Sequence, residues 1–174
     1  MEQQVNSKKI ILNNGLYLGL ATVALSIIMY VTNMIYDQNW IVGLISFILM
    51  IVFIAMGIKA FKAQNNGYLS LSQGLKVGLG IALISSIVAV VYNLIFLNFI
   101  EPEFMTKMLE MQQQKMIETN PNLTQQQLDM AAEMGKKFSS PAITSAISII
   151  SSLFFGFIIS LIASLAMKKT EDSF

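Results

Sequence analysis

Three methionines spaced three residues apart are the side chains in this sequence that best suit a specific chemistry. Met105, Met108 and Met111 would follow one edge of a helix, and thioethers are soft ligands suited to Cu(I). Three further methionines could approach them: Met116, Met130 and Met134. The alternative is an adaptable apolar stripe, because methionine fills irregular contacts well. Copper handling is therefore one hypothesis for this row, and packing is the other.

A second group of polar side chains falls toward one end of the apolar stretches of the chain. Its members are Asn33, Asn93, Asn98, Ser145, Ser148 and Ser152. They could line a shallow hydrated pocket for a lipid headgroup or a small solute. They could equally form hydrogen bonds between helices, each contributing about 0.6 kcal/mol on average. The first interpretation predicts a small-solute or lipid transporter, and the second predicts only packing.

Most other kinds of site are excluded by composition. Histidine and cysteine are absent, which removes disulfides, thiol nucleophiles and imidazole or thiolate metal sites. Four long stretches contain no Asp, Glu, Lys, Arg or His, so neither paired carboxylates nor a nucleophile with its base can be assembled within them. We therefore expect no enzyme, no catalytic residue and no cofactor. A net charge of +1 gives no broad basic field for nucleic acid.

The four charge-free stretches predict transmembrane helices. They cover residues 10–36, 38–58, 77–100 and 138–167, and each has the roughly 20 residues that a membrane-spanning helix needs. Runs such as Ile41–Ile45 lack the alternation of a barrel strand. Hydrophobic residues make up 55% of the chain and charged residues 12%, against roughly a quarter charged in soluble domains. We predict an all-α integral membrane protein, an antiparallel four-helix bundle forming one membrane domain over residues 1–174. Its spans lie at about 12–36, 39–59, 74–100 and 141–167.

The lysines predict the orientation of these spans. Seven of them flank the spans on one side, with no acid in the loop between spans two and three: Lys8, Lys9, Lys59, Lys62, Lys76, Lys168 and Lys169. The positive-inside rule makes that side cytoplasmic, with both termini. The turn at Asp37 and the segment 101–137 then lie outside, and Tyr36 and Trp40 suit the outer interface.

Small residues recur at intervals of four within the predicted spans. They are Gly15 and Gly19 in span one, Gly74 and Gly78 in span three, and Gly156 and Ser160 in span four. Close backbone contact stabilises helix association in lipid, where burial of apolar surface contributes little. These residues predict contacts inside one bundle or, alternatively, a homo-oligomer interface.

The segment between spans three and four predicts an amphipathic helical hairpin over residues 102–138. Pro102 suits a helix start, and Asn120–Pro121 suits its end. Thr124 with Gln127 forms a capping box for a second helix. The apolar stripe of that helix contains Leu128, Met130, Ala131, Met134 and Phe138. The hairpin could lie in the headgroup region or continue spans three and four outward as a stalk.

Several short motifs also resemble a known family. They are residues 9–15 (KIILNNG), 57–59 (GIK), 66–70 (NGYLS), 74–78 (GLKVG), 98–104 (NFIEPEF) and 136–138 (KKF) before Ser140–Pro141. Together they resemble an uncharacterised group of four-span bacterial inner-membrane proteins, of the domain of unknown function 4199 type, found largely in Bacteroidetes. The resemblance implies a four-span helical fold in a bacterial inner membrane. It implies no catalytic residues.

The sequence thus predicts a non-enzymatic, multi-pass protein of the bacterial inner membrane. Its outer hairpin would contact a membrane or periplasmic protein or membrane lipid, and a homo-oligomer is compatible with the same residues. The alternatives are a transporter or binding protein with an outer polar pocket, and copper handling through Met105, Met108 and Met111.

Overall fold

The structure is a computed structural model that describes residues 6–36 and 40–169. Within that part of the chain the long elements are all helical, which confirms the predicted all-α fold. The helices are α1 (Ser7–Val31), α2 (Trp40–Gln64), α3 (Leu71–Ile95), α4 (Phe104–Thr119), α5 (Gln125–Phe138) and α6 (Pro141–Met167). A 3-10 turn at Met34–Tyr36 follows α1, and a π-helical turn at Phe96–Ile100 follows α3.

Four of the helices are long and apolar enough to cross a membrane. They are α1, α2, α3 with its π-helical turn, and α6, with 25, 25, 30 and 27 residues. Only 17 to 28% of the most apolar part of each span is buried inside the protein. The remaining apolar surface requires lipid rather than water as its solvent. The chain is therefore an integral membrane protein with four transmembrane helices, as predicted.

The helices run beyond the predicted spans at the ends that carry lysine. α1 begins at Ser7 where the span was predicted from residue 12, and α2 continues to Gln64, past residue 59. Charged residues marked the limits of the apolar stretches, but they do not end a helix. Lysine can lay its aliphatic stem along the helix and keep its ammonium group in water. The predicted turn at Asp37 lies outside the described residues.

The described residues divide into two compact units. The first contains those up to Ala89 together with those from Ile149 onward, and the second is Val90–Ser148. The first unit therefore includes α1, α2, most of α3 and most of α6. The second includes α4 and α5. The predicted single membrane domain over residues 1–174 stays a prediction.

In the first unit α1 approaches α3 at two glycines. Gly15 faces Ile84 and Gly19 faces Val88, and a Cβ added to either glycine would lie 2.6 Å from the Cβ of its neighbour. Carbon atoms cannot approach that closely without a shift, so glycine permits a helix separation that alanine would not. The hydrophobic core around this contact contains Ile10, Leu18, Ile54, Ile58, Val77 and Ile81.

The contact between α3 and α6 is made by small residues on both helices. Gly74 and Gly78 of α3 lie directly against Ser164 and Ser160 of α6. One turn further along, Gly156 of α6 lies against α3, where an added Cβ would be 2.5 Å from the Cβ of Ala82. The two series of small residues therefore meet each other within one chain.

Candidate functional site

The candidate site lies in the second unit, where α4 and α5 form a helical hairpin. α4 begins at Phe104 rather than at the predicted Pro102, which lies in a turn. The Phe104 ring packs edge-on against Phe96, with 5.3 Å between ring centroids. The Lys107 ammonium lies 2.6 Å from a Glu101 carboxylate oxygen. These two contacts tie the start of α4 to the π-helical turn and to Glu101, the residue that follows it.

The start of α5 is determined by its own side chains. The Thr124 hydroxyl accepts a hydrogen bond from the backbone N–H of Gln127 at 3.3 Å. The side-chain oxygen of Gln127 accepts one from the backbone N–H of Thr124 at 2.9 Å. This reciprocal pair is the predicted capping box, which the structure confirms. It satisfies backbone donors that the first helical turn leaves without partners. The direction in which α5 leaves the loop is therefore defined locally.

The predicted apolar stripe of α5 is divided between two faces of the helix. Leu128 is buried, and Gly135 lies against α4, where an added Cβ would be 2.7 Å from Leu109 Cδ2. Met130, Met134 and Phe138 are instead 59%, 57% and 57% exposed. Two residues along a helix correspond to a rotation of about 200°, so Leu128 and Met130 cannot share one face. The prediction of a single apolar stripe was therefore wrong. α5 has one row that packs against α4 and a second apolar row that is exposed.

The second α5 row consists of Met130, Met134 and Phe138 and is called here the exposed row. Its members are four residues apart, so each lies about 40° round from the previous one and they form one continuous strip. Three charged residues of α5 lie on a neighbouring face, namely Asp129, Glu133 and Lys136, whereas Lys137 borders the exposed row next to Met130. All four are exposed. α5 thus exposes an apolar strip and, next to it, a charged strip.

A cleft of about 860 Å³ opens in the hairpin. The α4 residues that line it are Met105, Thr106, Leu109, Glu110, Gln112, Gln113 and Met116. The rest of the lining is Ala131, Ala132, Met134, Gly135, Lys136, Phe138, Ser139 and Ser140. Thioether, leucine and phenyl groups supply its apolar wall, whereas amides, hydroxyls and one charge of each sign supply the polar part. Volumes of 300–1,000 Å³ are typical of sites for small ligands.

The methionine row predicted as a copper site does not converge on this cleft. Met105 lines the cleft, but Met108 and Met111 do not, although all three are half-buried. A step of three residues turns the helix by about 300°, so Met105 and Met111 differ by roughly 120°. The thioethers that do line the cleft belong to Met105, Met116 and Met134. Copper handling stays a prediction.

The six polar residues predicted to line an outer pocket differ in exposure. Four of them are exposed, namely Asn33, Asn93, Asn98 and Ser148, and two are half-buried, Ser145 and Ser152. The side-chain amide of Asn98 donates to the Leu94 carbonyl at 2.7 Å, and the Ser152 hydroxyl donates to the Ala82 carbonyl at 3.1 Å. Ser152 thus forms the interhelical hydrogen bond of the packing interpretation. The shared pocket stays a prediction.

Sequence reasoning missed a contact at the lysine-rich end of the first unit. Leu69, in the loop between α2 and α3, forms two backbone hydrogen bonds of 2.8 and 3.1 Å with Lys169. The Lys62 ammonium donates to the Met167 carbonyl at 2.8 Å. The Asn66–Gly67 pair and the reciprocal Ser70–Gln73 cap indicate a tight loop here. No local signal indicates that its partner lies a hundred residues later.

Comparison with known proteins identifies one family. The family model described as "Protein of unknown function (DUF4199)" matches residues 13–169. That range includes all four transmembrane helices almost completely, together with the whole α4–α5 hairpin. No curated protein and no solved structure matches the chain.

Proposed function

The chain belongs to the DUF4199 family of proteins of unknown function, and we propose that it is a non-enzymatic protein whose α4–α5 hairpin associates with membrane lipid. In this proposal the protein resides in the bacterial inner membrane with both termini in the cytosol, and the hairpin contacts the outer leaflet. The observation that carries the proposal is the exposed row of Met130, Met134 and Phe138.

The exposed row has the chemistry of a helix that lies at a lipid surface. Complete burial of a methionine or phenylalanine side chain contributes about 1.5–3 kcal/mol. Because somewhat more than half of each side chain is exposed, transfer of the row to lipid would contribute roughly 1 kcal/mol per residue. Lys136 and Lys137 lie beside Phe138 in the sequence and suit lipid phosphate groups.

Continuity with α6 favours lipid over a protein partner. Phe138 is the last residue of α5, and the transmembrane helix α6 begins at Pro141. The apolar side chains that α6 exposes along its length include Ile143, Ile147, Ile150 and Phe154. The exposed row therefore ends only a few residues from a surface that requires lipid. A bilayer can cover both surfaces without any further partner.

The orientation in this proposal rests on lysine placement. Lys59, Lys62 and Lys76 flank the loop between α2 and α3, and that loop contains no acid. The positive-inside rule makes this side cytoplasmic. The segment between α3 and α6 then lies outside. Reporter fusions at the turn near Asp37 and within the hairpin should both report the periplasm, and cytosolic signals from both would contradict the orientation.

Tryptophan fluorescence tests contact with lipid directly. The sole tryptophan, Trp40, is replaced by phenylalanine, and Met134→Trp introduces a probe into the exposed row. In vesicles that contain brominated phospholipid, its emission should be blue-shifted and quenched. The matched control is Glu133→Trp, the neighbouring exposed position on the charged face. Its emission should be neither blue-shifted nor quenched. Equal, unquenched emission from both variants would exclude association with the bilayer.

A protein partner is the competing outcome. A photo-crosslinking amino acid at position 134 in whole cells should yield lipid adducts if the proposal is correct. A single protein adduct that forms from position 134 but not from position 133 would show instead that the hairpin contacts a protein. The same substitution at Glu133 controls for labelling that does not depend on the exposed row.

A further inference from the structure

The cleft and the exposed row share two residues. Met134 and Phe138 belong to the exposed row and also line the cleft. If the row lies against a lipid surface, one edge of the cleft adjoins that surface. A lipid molecule could then enter the cleft from the leaflet without crossing water. The inference that follows thus rests on the proposed function.

The apolar wall of the cleft suits hydrocarbon. Met105, Leu109 and Met116 come from α4, and Met134 and Phe138 come from α5. Methionine is flexible and polarisable, so a wall rich in methionine can adapt to chains that differ in length or saturation. The cleft offers about 860 Å³ beside these side chains, within the range typical of small-ligand sites.

The polar part of the cleft carries one charge of each sign on opposite helices. Glu110 is on α4 and Lys136 is on α5, and both are exposed. Within residues 6–36 and 40–169, neither of these two groups forms an ion pair. Amide and hydroxyl groups from Gln112, Gln113 and Ser140 lie along the same cleft. A ligand that matches this arrangement carries both an anion and a cation in its polar part and is attached to a hydrocarbon chain.

We propose that the α4–α5 cleft binds one phospholipid with a zwitterionic phosphate–ammonium headgroup, of the phosphatidylethanolamine type. Lys136 donates to the phosphate, and Glu110 accepts from the primary ammonium. The acyl chain follows the methionine and phenylalanine side chains toward the exposed row. An anionic lipid without an ammonium group leaves Glu110 without a partner and places its headgroup beside a carboxylate, so the cleft discriminates against it.

Lipid retention by the full-length protein tests the headgroup assignment. The protein is reconstituted with equal amounts of phosphatidylethanolamine and phosphatidylglycerol and extracted mildly, and the adducts are counted by native mass spectrometry. The intact protein should retain phosphatidylethanolamine preferentially. Glu110→Lys should lower that preference about 1.5-fold to fivefold, the range that one exposed ion pair supports. The control is Glu118→Lys, the same charge change on α4 outside the cleft lining.

A second pair of variants tests occupancy of the apolar wall. Met116→Trp should fill the cleft and reduce retention of both lipids, whereas Ile117→Trp changes the adjacent exposed residue outside the lining and should not. If Glu110→Lys and Glu118→Lys change the lipid ratio equally, the headgroup assignment is wrong. If Met116→Trp and Ile117→Trp retain lipid equally, the cleft is not the binding site.

These results are separable from the test of the proposed function. Quenching of a Met130→Trp probe, at the member of the exposed row that does not line the cleft, with no effect of the cleft variants would leave the hairpin on the bilayer and overturn only the specific site. Loss of lipid adducts in the cleft variants without quenching of that probe would overturn association of the exposed row with the leaflet.

Discussion

Substitution of Gly78 by alanine should measure how strongly the α3–α6 contact depends on the absence of a side chain. A Cβ at position 78 would meet the Ser160 hydroxyl directly, and it would lie 2.6 Å from Ser160 Cβ and 3.1 Å from Ile54 Cγ2. Ser160 is completely buried, and its hydroxyl already donates to the Gly156 carbonyl. Ile54 is also completely buried. Neither neighbour can therefore move aside without displacing the residues that enclose it.

The expected magnitude follows from two opposing terms. Overpacking a filled interior destabilises by about 1–3 kcal/mol. Replacing glycine by alanine within a helix stabilises by roughly 0.5–1 kcal/mol. Gly78→Ala should therefore lower the free energy of unfolding by about 0–2.5 kcal/mol, and it should be about 1–3 kcal/mol less stable than a glycine-to-alanine variant without the overpacking. Gly43→Ala is the matched control, because Gly43 is exposed on α2 and an added Cβ would meet nothing within 4 Å. Gly43→Ala should therefore show only the stabilisation that alanine gives over glycine within a helix.

The free energies of unfolding of both variants can be measured in mixed micelles with increasing SDS, with loss of helix followed by circular dichroism. The double variant Gly78→Ala with Ser160→Gly should show favourable coupling of about 1 kcal/mol relative to the two single variants, because the new methyl group occupies the vacated space. Equal stabilities for Gly78→Ala and Gly43→Ala would refute the close approach of α3 and α6. Strict additivity in the double variant would show that Ser160 is not the obstacle.

Three further predictions concern local contacts. Thr124→Ala should reduce the stability of α5 by about 1 kcal/mol through loss of its cap; amide exchange should accelerate across α5 but not α1, and unchanged α5 exchange would contradict it. Asn66→Ala should lower the melting temperature because φ is 53° at this position, a conformation that costs about 1 kcal/mol or more for residues other than glycine or asparagine. Asn66→Gly should melt near the unmodified protein, and equal melting temperatures for both variants would argue against the left-handed turn. Lys62→Met should speed hydrogen exchange of the Leu69 and Lys169 amides about fivefold, because loss of the hydrogen bond to Met167 removes about 1 kcal/mol. Lys59→Met, at an exposed lysine, should leave these rates unchanged, and equal rates in both variants would show that Lys62 does not stabilise this contact.

The membrane-spanning architecture could be predicted because it depends on local composition. A stretch such as 138–167 contains no ionisable side chain, and about 20 such residues suffice to span hydrocarbon whatever the rest of the chain does. The capping box of Thr124 and Gln127 was likewise predictable, since both partners lie within one helical turn. The helix ends were less predictable, because the limit of apolar side chains does not coincide with the last backbone hydrogen bond.

The candidate site could be predicted only in part. Periodicity identified α5 as amphipathic, but it grouped Leu128 with Met130, which lie on different faces. Hydropathy alone does not show which apolar row packs on α4 and which stays exposed. The cleft depends on residues of α4 and α5 that are distant in the sequence, such as Glu110 and Lys136. Regular methionine spacing suggested a row beginning at Met105, whereas the cleft lining includes Met105 but otherwise takes Met116 and Met134.

By itself the sequence determined the medium in which this chain folds, the number of its spans and the presence of a capped amphipathic hairpin, because each depends on side-chain transfer and hydrogen bonds within a few residues. The tertiary structure alone decided which small residues meet, such as Gly78 with Ser160. It also decided which face of α5 stays exposed, and that the chain near Lys169 returns to pair with Leu69. These outcomes depend on how helices approach one another in three dimensions, which no local pattern of residues encodes.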